Sequence, residues 1–236
     1  MRLKPLVPEG SRHKMRSQKE ALEIMKIFQQ RDPNPRCELN YVNAYTLLVA
    51  VVLSAQSTDK GVNRATEALF KIVDTPQKMV DLGLDKLKDY IKTIGLYNNK
   101  AKNIISLSEE LIAKYNGIVP SEREQLESLA GVGRKTANVV LNVWFNQPTL
   151  AVDTHVMRIS HRLDFSHGKT PLEVEKDLVK LLPEDYIKNT NHWLVLFGRY
   201  ICKAQKPDCQ NCPINHYCHS QDKRIQNFIN QGFDEI

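Results

Sequence analysis

The 236-residue chain has no apolar run long enough to span a bilayer. Its longest, residues 44–55, contains Thr46 and Ser54 and is flanked by Asn43 and Gln56, which suits a buried helix better than a membrane span. The first twenty residues, MRLKPLVPEGSRHKMRSQKE, carry basic side chains but no hydrophobic segment, so they do not read as a secretory signal. These features set the expectation of a cytoplasmic protein without a membrane. No repeat or low-complexity tract is visible, and persuasive strand signals are few. Charge of one sign is in only mild excess: 33 Lys and Arg against 27 Asp and Glu give +6, which permits a polyanionic partner without identifying one. With 42 % hydrophobic and 25 % charged residues, the composition excludes a disordered or collagenous chain. A chain of this length buries about 70 % of its unfolded surface, so disulfides are not required for its stability.

What the sequence does have is helical periodicity. Ser17 and Glu20 have capping-box spacing ahead of an apolar stripe through Ala21, Leu22, Ile24, Met25, Ile27 and Phe28, and RDPNP at 31–35 ends that helix. Further helices are expected over residues 43–54, 60–70, 85–93 and 98–115, with Gly95 at a left-handed C-cap. Asp74, Thr75 and Pro76 restart the chain in helix. Ser121 and Glu124 repeat the capping-box spacing, and Thr170, Pro171 and Glu173 open a helix ending near Leu182. Apolar positions on the helix after the 129–133 turn include Ala137, Val140, Leu141 and Trp144, and residues 193–200 fall on the last long helix. The fold class expected is all-α, in two helical lobes.

Three groups of residues carry chemistry. In LAGVGRKT, Gly131 and Gly133 stand two apart between helical segments, where glycine permits close backbone approach and the next helix begins with unpaired N–H groups. A phosphate can sit there. Arg134 and Lys135 oppose the helix dipole at that end, a sign of a role beyond helix stability. The N-terminal arm, with Arg2, Lys4, Arg12, Lys14, Arg16 and Lys19 against Glu9, could lie along phosphate or be a solvated terminus.

Cys202, Cys209, Cys212 and Cys218 fall within 17 residues, while Cys37 stands alone. Such crowding favours metal or cluster ligation over disulfides, and four thiolates suit either zinc or an iron–sulfur cube. The spacing lacks the paired CxxC knuckles of common zinc sites and the CxxCxxCxxxCP run of small ferredoxins. Lys203 and Lys206, in the first interval, could be displayed to a DNA backbone.

Lys135 and Asp153 are 18 positions apart, across a helix and the turn NQPTLAV. A neutral amine can attack a sugar C1′ and form a Schiff base, and a carboxylate can stabilise positive charge developing on the sugar. Asp153, before THVMRISHRL, also suits a helix N-cap.

The segments LNYVNAYTLLVAVVLSAQSTDKGVN, IKTIGLYNNKAKNI, LAGVGRKTANVVLN and AVDTHVMRISHRL, with the four-cysteine loop, together resemble the endonuclease III family, bifunctional DNA glycosylase/AP lyases of the helix-hairpin-helix superfamily. The resemblance spans nearly the whole chain. It implies that Lys135 is the Schiff-base nucleophile, Asp153 its acidic partner, and the four cysteines ligands of one [4Fe-4S] cluster. It implies that Gln56 fills the void left by an extruded nucleotide and that Leu96 is an apolar wedge. It also implies a six-helix lobe over 37–147 and a cluster lobe of 1–36 with 148–236, acting as a monomer on duplex DNA that holds damaged pyrimidines or abasic sites. Excision of oxidised or ring-saturated pyrimidines and β-elimination at the abasic site are the implied reactions, and base flipping is their physical requirement. Tyr97 and Asn98 are further candidates to face DNA, and His155 follows the catalytic aspartate.

Two departures from the family pattern stand out. Ala130 replaces the usual hairpin proline, which should loosen the turn slightly. Ser57 replaces a frequent alanine. An adenine-mismatch glycosylase shares the implied fold, but Lys135 favours the lyase branch and the chain lacks room for the additional recognition domain. A DNA-binding scaffold without activity is disfavoured by the presence of both Lys135 and Asp153.

Overall fold

The computed structural model describes residues 14–221 and 223. All regular structure among the described residues is helical, as expected. None of these helices is long and apolar enough to cross a membrane. The chain divides into two compact units, Met1–Pro35 with Val152–Ile236, and Arg36–Ala151.

The discontinuous unit holds α1 (Gln18–Arg31), α9 (Thr154–Arg162), α10 (Pro171–Leu181), α11 (Glu184–Tyr200) and a 3-10 turn (Asn215–Tyr217). The capping boxes expected at Ser17/Glu20 and Thr170/Glu173 both form, the second with Pro171 in the first turn. Phe28 of α1 meets Phe197 of α11 edge-on, and Trp193 Nε1 donates to the Asp32 carbonyl at 2.8 Å. The Arg16 side chain is largely buried. Its Nε donates to the Leu163 carbonyl at 3.2 Å and its guanidinium donates to the Tyr217 carbonyl, which ties the start of the described chain to the cysteine loop. Arg2, Lys4, Arg12 and the segment 225–236 lie outside the described residues.

The contiguous unit holds α2 (Ala44–Ser54), α3 (Asp59–Leu69), α4 (Pro76–Leu82), α5 (Leu84–Ile91), α6 (Tyr97–Tyr115), α7 (Arg123–Glu127) and α8 (Arg134–Val143). α2 is its axis, because residues 45–53 are all buried and a helix apolar on every side must be surrounded. Each buried Leu or Val there contributes roughly 1.5–3 kcal/mol. α3, α6 and α8 pack on it. Thr75 caps α4 ahead of Pro76, and Asn116 and Gly117, with φ of 52° and 76°, end α6 as the sequence suggests.

Three local expectations fail. Ser121 is not the cap of α7, which starts after Glu122 without a side-chain cap; the Ser121 carbonyl accepts from Gln147 Nε2 at 2.9 Å. Gly95 is not left-handed. The link from α5 to α6 is so short that the left-handed residue, Leu96 with φ of 60°, is itself the N-cap of α6. Trp144 is 42 % exposed just past the end of α8 and meets Tyr41 edge-on at 6.2 Å.

Candidate functional site

The hairpin between α7 and α8 is a tight turn in which Val132 N–H donates to the Leu129 carbonyl at 3.1 Å. Gly131 adopts φ of 75° and lies against Asn103 of α6, leaving no room for a side chain. Gly133, the N-cap of α8, has an ordinary extended backbone, and a Cβ there would meet nothing within 4 Å. Nothing inside the fold demands glycine at 133. No side chain caps α8. Arg134, exposed, lies 4.0 Å from Glu127, and Lys135 is exposed in the first turn of the helix. Hairpin amides, one arginine and one primary amine thus share a single surface, an arrangement suited to holding a phosphate beside a nucleophile.

Gln56 and Leu96 are also brought together. Both are exposed, and both take the left-handed conformation that side chains disfavour, with φ of 55° and 60°. Gly95 lets the two turns approach, since its Cβ position is 3.9 Å from the Gln56 carbonyl. Tyr97 is partly buried against the core, and Asn98 is exposed. Such local strain at two solvent-facing tips marks them as functional candidates.

Asp153, in the other unit, is the N-cap of α9, where its Oδ1 accepts from Val156 N–H at 2.8 Å. The expected cap therefore forms. His155 is half-buried. Burial depresses its pKa, Asp153 opposes that, and Arg158 and Arg199 add to it. The ring packs on Gly198, where a Cβ would fall 3.1 Å from His155 Nδ1.

The four cysteines of the C-terminal loop line one small pocket with Arg162, Ile214 and Lys223 among the other walls. The expected [4Fe-4S] cluster nevertheless needs correction. Among the described residues no group of three or more His, Cys, Asp or Glu side chains is arranged to hold a metal ion. Two of the sulfurs have protein partners: Arg162 Nη1 donates to Cys202 Sγ at 3.2 Å, and Cys218 Sγ lies 3.9 Å from the Arg162 carbonyl. Burial pushes the Cys212 thiol up to about 11 and raises Cys218 as well. Lys203 and Lys206 are exposed in this loop, Lys206 with φ of 50°.

Sequence reasoning missed Lys100. It lies on the buried stripe of α6 with Ile104, Leu107 and Leu111, and a lysine at such a position was the available signal. Arg162 was also missed; its guanidinium donates to the Cys202, Lys203 and Ala204 carbonyls and shapes the cysteine loop.

Comparison with known proteins gives a consistent likeness. Residues 49–184 match the family described as HhH-GPD superfamily base excision DNA repair protein, and residues 202–218 match the iron-sulfur binding domain of endonuclease III. Endonuclease III of Haemophilus influenzae is 54 % identical over 202 residues, covering 86 % of this chain and 96 % of that one. The Escherichia coli K12 enzyme is 48 % identical with the same coverage. Among solved structures, a non-covalent endonuclease III–DNA complex is 46 % identical with a TM-score of 0.85, covering 90 % of this chain and all of that one. A trapped endonuclease III–DNA covalent intermediate is 45 % identical with a TM-score of 0.84 and the same coverage.

Proposed function

The chain belongs to the endonuclease III family of HhH-GPD base excision DNA repair proteins, and from that premise we propose that it removes oxidised or ring-saturated pyrimidines from duplex DNA and cuts the abasic strand through a Schiff base on Lys135. Base-excision glycosylase and AP-lyase activity on damaged DNA, and binding to duplex DNA, come with membership.

The observation that carries this reading is the exposed Lys135 amine in the first turn of α8, two residues beyond the bare Gly133. A covalent intermediate with DNA has been trapped for a similar protein, and an amine is the group that forms one with a sugar aldehyde. In the proposed reaction the neutral Lys135 amine attacks C1′ as the damaged base departs and takes a proton. The sugar ring opens to the imine. Loss of a C2′ proton then expels the 3′ phosphate. Asp153 supplies negative charge for the cationic sugar and assists the proton transfers.

Binding follows the same logic. Hairpin amides at 131–133 with Arg134, and separately Lys203 and Lys206, hold phosphates without reading sequence. Gln56 occupies the space of the extruded nucleotide, and Leu96 wedges the stack. The protein acts as a monomer in the cytoplasm. Single-turnover cleavage of a duplex with one oxidised thymine tests the reading: a strand carrying a β-elimination end is expected, whereas release of adenine from a mismatch with no strand cut would overturn it.

A further inference from the structure

Lys100 has only 6 % of its surface exposed, yet its side chain carries a charge that must be satisfied. Its ammonium has three donors, and the fold meets each: the Leu53 carbonyl at 2.9 Å, the Ala55 carbonyl at 2.6 Å and Ser57 Oγ at 3.1 Å. The first two are carbonyls at the C-terminal end of α2, where a cation is favoured by the helix dipole. Ala55 and Ser57 flank Gln56. The backbone N–H of Lys100 donates to the Leu96 carbonyl at 3.1 Å, closing the first turn of α6. One residue therefore grips both chain segments that carry a strained, solvent-facing tip.

We infer that Lys100 is the positioning residue that holds Gln56 and Leu96 ready to enter the duplex together, and that Ser57 strengthens this hold in the present chain. The inference rests on the proposed roles of Gln56 and Leu96. Left-handed backbone at two non-glycine residues persists only when the surroundings over-determine it, and the cradle around Lys100 is what does so here. Alanine at position 57, frequent in the family pattern, would leave the ammonium one acceptor short, so the serine matters to this chain's own binding site. Burial also lowers the Lys100 pKa, and the three acceptors keep the cation in place.

The test compares affinity for a duplex holding a stable abasic analogue with affinity for the same duplex undamaged. A 2-aminopurine opposite the analogue reports local unstacking. Lys100→Met keeps length while removing the donors and should reduce the preference for the abasic duplex by about tenfold, with loss of the fluorescence rise. Ser57→Ala, a change that threatens folding little, should reduce it by about two- to threefold. Equal weakening on both duplexes by Lys100→Met would make the residue merely structural and overturn the inference. So would an unchanged preference in Ser57→Ala, which decides the matter if Lys100→Met fails to fold. Gln56→Ala and Leu96→Ala serve as references: if both keep full preference and unstacking, the insertion reading falls and the inference with it. If they lose it while Lys100→Met and Ser57→Ala do not, the inference alone falls.

Discussion

Gly131 presses directly on Asn103: a Cβ added to the glycine would stand 2.8 Å from both the Asn103 Cβ and its Nδ2. The hairpin is thereby seated on the middle of α6, and the φ of 75° at Gly131 reinforces the requirement. Gly131→Ala is expected to cost about 1–3 kcal/mol of stability from backbone strain and overpacking together. Urea unfolding measures it, and a shift of the midpoint at unchanged slope is the expected form.

Gly133 should behave differently, because its backbone is extended and the space beside it is open. Gly133→Ala should leave stability within about 1 kcal/mol, as alanine caps a helix poorly but narrows the unfolded ensemble. Affinity for duplex DNA should still fall, since the methyl group occupies the surface offered to a phosphate. Unchanged affinity in a binding titration would remove the hairpin from the DNA interface.

Asp153 has two jobs that substitution separates. Asparagine retains the cap on α9, so Asp153→Asn should unfold close to wild type, while Asp153→Ala loses about 1 kcal/mol. Both should excise slowly, because neither supplies negative charge. Wild-type excision by folded Asp153→Asn would leave the residue as a cap alone.

The helical fold was legible because apolar spacing and caps agree along most of the chain, as at Ser17, Thr75 and Thr170. Where tertiary demand competes, local signals mislead. The tight link before α6 transfers the left-handed position from Gly95 to Leu96. The cysteine spacing suggested a metal centre, yet the folded loop does not gather those side chains as ligands among the described residues. Lys100 was invisible for another reason: its three partners lie 43 to 47 positions away, and sequence spacing does not reveal contacts at that range.

Two histidines should make stability sensitive to acid. Burial depresses the pKa of His192, with Asp32 partly opposing, and of His155. The buried Nδ1 of His192 finds no hydrogen-bond partner among the described residues. Above the ordinary imidazole value of 6.5 both rings are neutral in folded and unfolded chains, and no stability is lost. Below it the unfolded chain takes up protons that the folded chain refuses, so stability falls as pH falls toward the depressed folded values. Denaturation from pH 7.5 down to 5, bounds that span about the reference imidazole range, should show this decline, and His192→Gln should flatten it.

In the proposed reaction the Lys135 amine becomes covalently joined to the sugar. Borohydride trapping on an abasic duplex, with wild type, Lys135→Ala and Lys135→Arg each checked for folding and DNA binding, tests it most directly. Wild type should yield a stable protein–DNA adduct. Both variants should bind yet yield none, because alanine has no amine and arginine stays protonated. An adduct formed by folded Lys135→Ala at the wild-type rate would contradict the account and assign the nucleophile elsewhere.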